Sequence, residues 1–145
     1  MLLDDRAEFA DNLPVNTAIG TAQLGDVIDL GTGVRDLPDV FVMVRVGSAF
    51  TSGGAATVSF SLVSDAQSAL ATNGSATHHF STGAMPVAAL TAGRIIACIR
   101  LPRGQCERYL GLLQTTAGAP LSGGRVDAVL TDGPALWSAC ADTVA

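Results

Sequence analysis

The adjacent pair His78-His79 is the first feature of this sequence that could do chemistry, as a metal site. Imidazole is a good zinc ligand, but a tetrahedral site needs several donors converging on one ion. Thr77–Ser81 reads as a short strand carrying Phe80, and neighbouring residues in a strand point to opposite faces. No cysteine or carboxylate lies near the pair at ligand spacing, so the expectation is a strand edge with one imidazole in solvent, and no metal. Cys98, Cys106 and Cys140 form no CxxC pair, and their odd number suits free thiols in a reducing compartment. Cys98 suits a small hydrophobe in a strand. A cysteine nucleophile needs a positioned histidine, and a serine nucleophile of the G-x-S-x-G kind needs its elbow; neither pattern occurs. Gly31-Thr32-Gly33 begins like a dinucleotide loop but lacks the third glycine and the helix. Asn73-Gly74-Ser75 matches a glycosylation acceptor, relevant only on secretion. Asp4-Asp5 lies in the amino-terminal stretch and the other acids scatter through turns, so no acid–base pair can be placed. The chain is expected not to be an enzyme, with no catalytic residues, no cofactor and no small-molecule substrate.

The elements themselves are strands. In Phe50–Leu62, Val58, Phe60 and Leu62 alternate with Thr57, Ser59 and Ser61, the period of a half-buried strand. Ser52-Gly53-Gly54 before it is a turn signal, and with the Val40–Val46 strand in front the stretch reads as a hairpin. Val40, Val42, Val44 and Val46 share one face and Phe41, Met43 and Arg45 the other, which implies burial on both sides. Further strands are expected at Leu24–Leu30, Arg94–Leu101, Tyr109–Thr116 and Arg125–Thr131, separated by turns such as Asn73-Gly74, Pro102-Arg103-Gly104 and Ser122-Gly123-Gly124. Pro38 excludes a central strand around it. Six or seven strands without a long amphipathic helix predict an all-β fold: an antiparallel β-sandwich or jelly-roll-like single domain. Residues 1–14, mixing Asp4, Asp5, Arg6, Glu8 and Asp11 with Leu2, Leu3, Phe9 and Leu13, read as an N-terminal arm, extended or with one short helical piece. The domain then covers 15–132, and 133–145 form a C-terminal tail with Trp137.

Composition narrows the partners. The 145 residues fit one domain, and 48% hydrophobic residues suffice for its core. Charged residues are 14%, against roughly 25% in ordinary soluble domains, so an oligomer or partner surface is expected over a free monomer covered in Ser, Thr and Gly. The net charge is -5 and the eight basic residues, all arginine, gather in no patch, so nucleic acid is not expected as a partner. No apolar run approaches the ~20 residues of a membrane helix, and Met1-Leu2-Leu3-Asp4-Asp5 does not start like a signal peptide. Neither a membrane partner nor secretion is expected.

Several segments together resemble a known family. They are Met1-Leu2-Leu3-Asp4, Ile28-Asp29-Leu30-Gly31, Arg35-Asp36-Leu37 and the block Ala49 to Leu62. Pro86-Val87 with Leu90, Ala92-Gly93-Arg94, Leu101-Pro102-Arg103-Gly104 leading to Arg108-Tyr109-Leu110, and Ser122-Gly123-Gly124-Arg125-Val126 continue the series. In order they are similar to the small capsid cement, or decoration, proteins of tailed bacteriophages. The resemblance covers most of residues 1–132; the Trp137 tail and the double histidine fall outside it. It implies a jelly-roll-like subunit that forms a homotrimer on the outer capsid surface of the virion. There it would bridge neighbouring copies of the phage major capsid protein and stabilise the head against DNA pressure. It brings no catalytic residues. Two expectations follow for binding: Phe41, Met43 and Arg45 serve the core or the self-interface, and Leu2, Leu3, Asp5 and Phe9 of the arm contact the capsid. The alternative is a carbohydrate-binding β-sandwich of a phage spike or lectin type, although aromatics, its usual platforms, are only 5%.

Overall fold

A computed structural model describes residues 8–30, 41–100 and 107–131. Nine strands fill these segments, in chain order β1 (Glu8–Pro14), β2 (Gly20–Asp29), β3 (Phe41–Ser52), β4 (Thr57–Asp65), β5 (Thr77–Ser81), β6 (Met85–Pro86), β7 (Ile95–Arg100), β8 (Tyr109–Ala117) and β9 (Leu121–Thr131). Only a single 3-10 turn, Val87–Ala89, interrupts them.

The strands form two sheets, ordered β1-β9-β3-β7 and β2-β8-β4-β5, with β6 beside β4. Every pairing is antiparallel. Apart from the step from β4 to β5 and β6, each successive strand crosses to the other sheet, the winding of a jelly roll. The all-β sandwich expected from the alternation is therefore what the chain builds.

Alternation decides what lies between the layers. Val42, Val44 and Val46 of β3 and Val126 and Ala128 of β9 meet Val58, Phe60 and Leu62 of β4 and Leu110 and Leu112 of β8. Each large apolar side chain fully buried there contributes about 1.5–3 kcal/mol. Gln114 continues the inner row of β8 and is also buried. Its Nε2 donates to Asn16 O (2.8 Å) and Thr116 Oγ1 (2.9 Å), and its Oε1 accepts the Asn16 N–H (3.0 Å). A buried amide so satisfied avoids the desolvation cost of a lost bond and pins the β1–β2 connection to the opposite sheet.

A second, smaller cluster lies on the outside of the β2-β8-β4-β5 sheet. Val63 and Leu113 are covered by Leu70 and Ala76 of the long β4–β5 connection, with Val27, Ala71 and Tyr109 packed against them. That connection, which carries the Asn73-Gly74 turn, is a loop folded down as a lid.

Three expectations change. β3 and β4 do not form a hairpin, because each already has partners on both sides: β9 and β7 for one, β8 and β5 for the other. Gly53–Ala56 instead carries the chain from one layer to the next, which stacks the two apolar rows face to face. Ser122-Gly123-Gly124 is not a turn before the last strand but a bulged part of β9. Gly124 has φ +136, and a Cβ there would lie 2.7 Å from the Phe50 ring, so the bulge needs glycine for Phe50 to pack. The arm ends sooner than residue 14. Glu8–Pro14 is a strand paired with β9, because Phe9, 1% exposed, and Ala10 complete the core at the sheet edge. Residues 1–7, the 31–40 connection, Cys106, Cys140 and the tail with Trp137 lie outside the described residues.

Candidate interaction surface

The outward-facing residues of β3 stand in rungs across the β1-β9-β3-β7 sheet. Asp127, Arg45 and Ile95 make one rung, Val129, Met43 and Cys98 the next, and Thr131, Phe41 and Arg100 the third. Direct partners in antiparallel strands share a face, so the expected group Phe41, Met43 and Arg45 is brought together with these neighbours. Their exposures differ. Met43 is 3% and Val129 7% exposed, whereas Phe41 is half-buried and Cys98 open. Met43 and Val129 belong to neither apolar cluster of buried residues.

A polar line borders this apolar patch. Arg45 Nη2 pairs with Asp127 Oδ2 at 3.1 Å, and Asp127 Oδ1 accepts the Asn12 N–H at 2.6 Å. Asn12 sits at a β1 irregularity with φ 48, and Arg125 Nη1 donates to its carbonyl (2.8 Å). Both members of the ion pair are partly exposed, so it is worth well under 1 kcal/mol or so. The informative atom is Arg45 Nε, which is buried and has no hydrogen-bond partner. A charged donor left in that state is costly.

Of the residues expected to touch a capsid, Phe9 is sequestered inside the chain's own sandwich, which removes it from that role. Leu2, Leu3 and Asp5 lie outside the described residues. The groove beside β1, of about 410 Å³, is lined by Glu8, Asp11, Leu13 and Asp26. Among the described residues no three metal-ligating side chains converge.

His79 is where the structure departs most from the sequence. Its Nε2 lies 2.8 Å from Ser64 Oγ, while Ser64 Oγ accepts the Glu107 N–H (3.0 Å) and Glu107 Oε1 accepts the Thr77 hydroxyl (2.5 Å). Serine, histidine and a carboxylate thus meet, but Ser64 is 0% exposed and no substrate reaches its oxygen. The group ties β4, β5 and the approach to β8. Burial pushes the His79 imidazole below its usual range and His78 adds to that, against the opposing pull of Glu107. His78, facing the other way, is exposed. No spacing rule links Ser64 to His79; only the β4–β5 register does.

The jelly roll hosts many unrelated functions, so the fold by itself decides none for this chain. The family model of Bbp16 matches residues 12–130, from within β1 to within β9, and the chain belongs to that family. The family name suggests a phage-related protein. The match stops before the 133–145 tail. Among curated proteins, none matches the chain.

Proposed function

We propose that this chain is a structural virion protein: a capsid cement protein that trimerises on the outer surface of a phage head and bridges neighbouring major capsid subunits. In this reading it acts as a scaffold, without a reaction, cofactor, nucleic acid or membrane of its own. The observation that carries the self-association is the outward face of β3, which presents half-buried Phe41 and, two rungs away, the unsatisfied Arg45 Nε. The capsid as partner rests on the resemblance of segments such as Ala49 to Leu62, and the Bbp16 family agrees with a phage origin.

Physically, a trimer that engages several capsid subunits at once turns modest contacts into tight attachment through effective concentration. Three copies around one axis need a single kind of self-interface. Low charge lets such surfaces approach without strong repulsion. Light scattering of wild type and Phe41→Asp tests the self-interface. A folded monomeric mutant supports it, and a folded trimeric mutant contradicts it.

A further inference from the structure

The lid between β4 and β5 is fastened at its start by Asp65, whose carboxylate accepts the N–H groups of Gln67 (3.2 Å) and Ala71 (3.1 Å). Near its other end, Asn73 Oδ1 accepts two hydrogen bonds from Ser75, one from its backbone N–H (3.0 Å) and one from its hydroxyl (2.7 Å). Asn73, Gly74 and Ser75 are all exposed. Gly74 has φ +93, and nothing lies within 4 Å of where its Cβ would be.

We propose that Asn73 is a site of spontaneous backbone modification, cyclising with Gly74 to a succinimide that opens to aspartate or isoaspartate. Attack requires the Gly74 nitrogen to reach Asn73 Cγ. The turn closed by Asn73 Oδ1 and the Ser75 N–H curls the side chain over that peptide, and glycine places no Cβ in the way. Among the described residues no hydrogen bond occupies the Gly74 N–H. The carbonyl under attack is already polarised by two donors, both aimed at the oxygen on which negative charge develops, as an oxyanion hole would be.

The step balances with solvent alone. The Gly74 N–Cγ bond forms as the peptide proton passes to a solvent base. The Cγ–Nδ2 bond then breaks, and Nδ2 leaves as ammonia after taking a proton from water. Water finally adds to either succinimide carbonyl, giving aspartate when it opens the side-chain bond and isoaspartate when it opens the main-chain one. No oxidant or cofactor takes part. The other described asparagines lack this setting: Leu13 follows Asn12 and Thr17 follows Asn16, whose Nδ2 is also committed to Gln23 O. Conversion adds a carboxylate to an already acidic chain. As isoaspartate it also lengthens the backbone between Leu70 and Ala76, the residues that hold the lid on Val63 and Leu113.

The test incubates the full chain in mildly alkaline buffer, folded or unfolded in urea, and maps peptides by mass spectrometry with an isoaspartyl methyltransferase as tag. Conversion is expected at Asn73, at least as fast in the folded chain as in the unfolded one. Ser75→Ala removes one of the two donors without disturbing the core. It should slow the folded reaction about tenfold, less than the ~10²–10³ seen for a fully buried oxyanion donor. Slower conversion when folded, an unchanged rate in Ser75→Ala, or earlier conversion at Asn12 or Asn16 would overturn the proposal.

Discussion

Phe50 and Phe60 meet edge to face between the two sheets, with ring centroids 6.1 Å apart and planes at 76°. One closes the inner row of β3 and the other sits mid-way along β4, so the contact clamps the layers where the chain crosses between them. Phe60→Ala should destabilise the protein by about 3–5 kcal/mol in urea unfolding, from lost burial and the cavity left behind. The edge-to-face pair itself accounts for roughly 0.5–1.5 kcal/mol of that. A cost below about 1 kcal/mol, ordinary for a surface site, would mean that Phe60 is not at the centre of the core.

The lid rests on a close approach of Leu70 to Gly111. A Cβ on Gly111 would fall 2.4 Å from Leu70 Cδ1, so Gly111→Ala must push the leucine aside at about 1–3 kcal/mol. Leu70→Ala alone should cost about 2 kcal/mol or more. The double variant should cost less than the sum by roughly 1 kcal/mol, because the smaller side chain makes room. Strict additivity in chemical denaturation would show that the lid does not pack there.

Stability should also follow the His79 imidazole. Its pKa is lowered in the folded chain, so just below the ordinary value of 6.5 the unfolded chain binds more protons than the folded one. The contribution is thus fully present above that value and is lost as pH falls through the lower folded value. Urea midpoints measured across about pH 5 to 8 should decline toward acid, and His79→Gln should flatten that decline. A wild-type profile no steeper than that of the variant would contradict the assignment.

The amino-terminal arm divides at β1. Removing residues 2–7 spares Phe9 and the β1–β9 pairing, so the shortened chain should unfold like wild type. Its occupancy on purified capsids should fall if Leu2, Leu3 and Asp5 touch the capsid. Undiminished occupancy would take the arm out of the binding surface.

How far the sequence announced this structure depends on the range of each signal. Alternation is local: it put Val58, Phe60 and Leu62 on one buried face and Val42, Val44 and Val46 together on one side of their strand, and both rows line the interior. Pairing is not local: Ser52-Gly53-Gly54 announces a reversal without saying whether the chain returns to its own sheet or crosses to the other. Ser122-Gly123-Gly124 carries the same residues yet lies inside β9, since bulge and turn both draw on glycine. Gly20–Gln23, polar and on an edge strand, has no apolar period to read, which hid the start of β2. The face shared by Phe41, Met43 and Arg45 was legible from alternation. Its rungs with Val129, Asp127 and Cys98, the orphaned Arg45 Nε and the Ser64–His79 tie appear only once strand register is set.

The central claim concerns place and number, and electron microscopy of capsids carrying this protein measures both. The account predicts a three-lobed density on the outer surface, each lobe a jelly roll, spanning the seams between neighbouring capsid subunits. Capsids saturated with the chain but lacking such density, or carrying it only inside the head or on the tail, would contradict it.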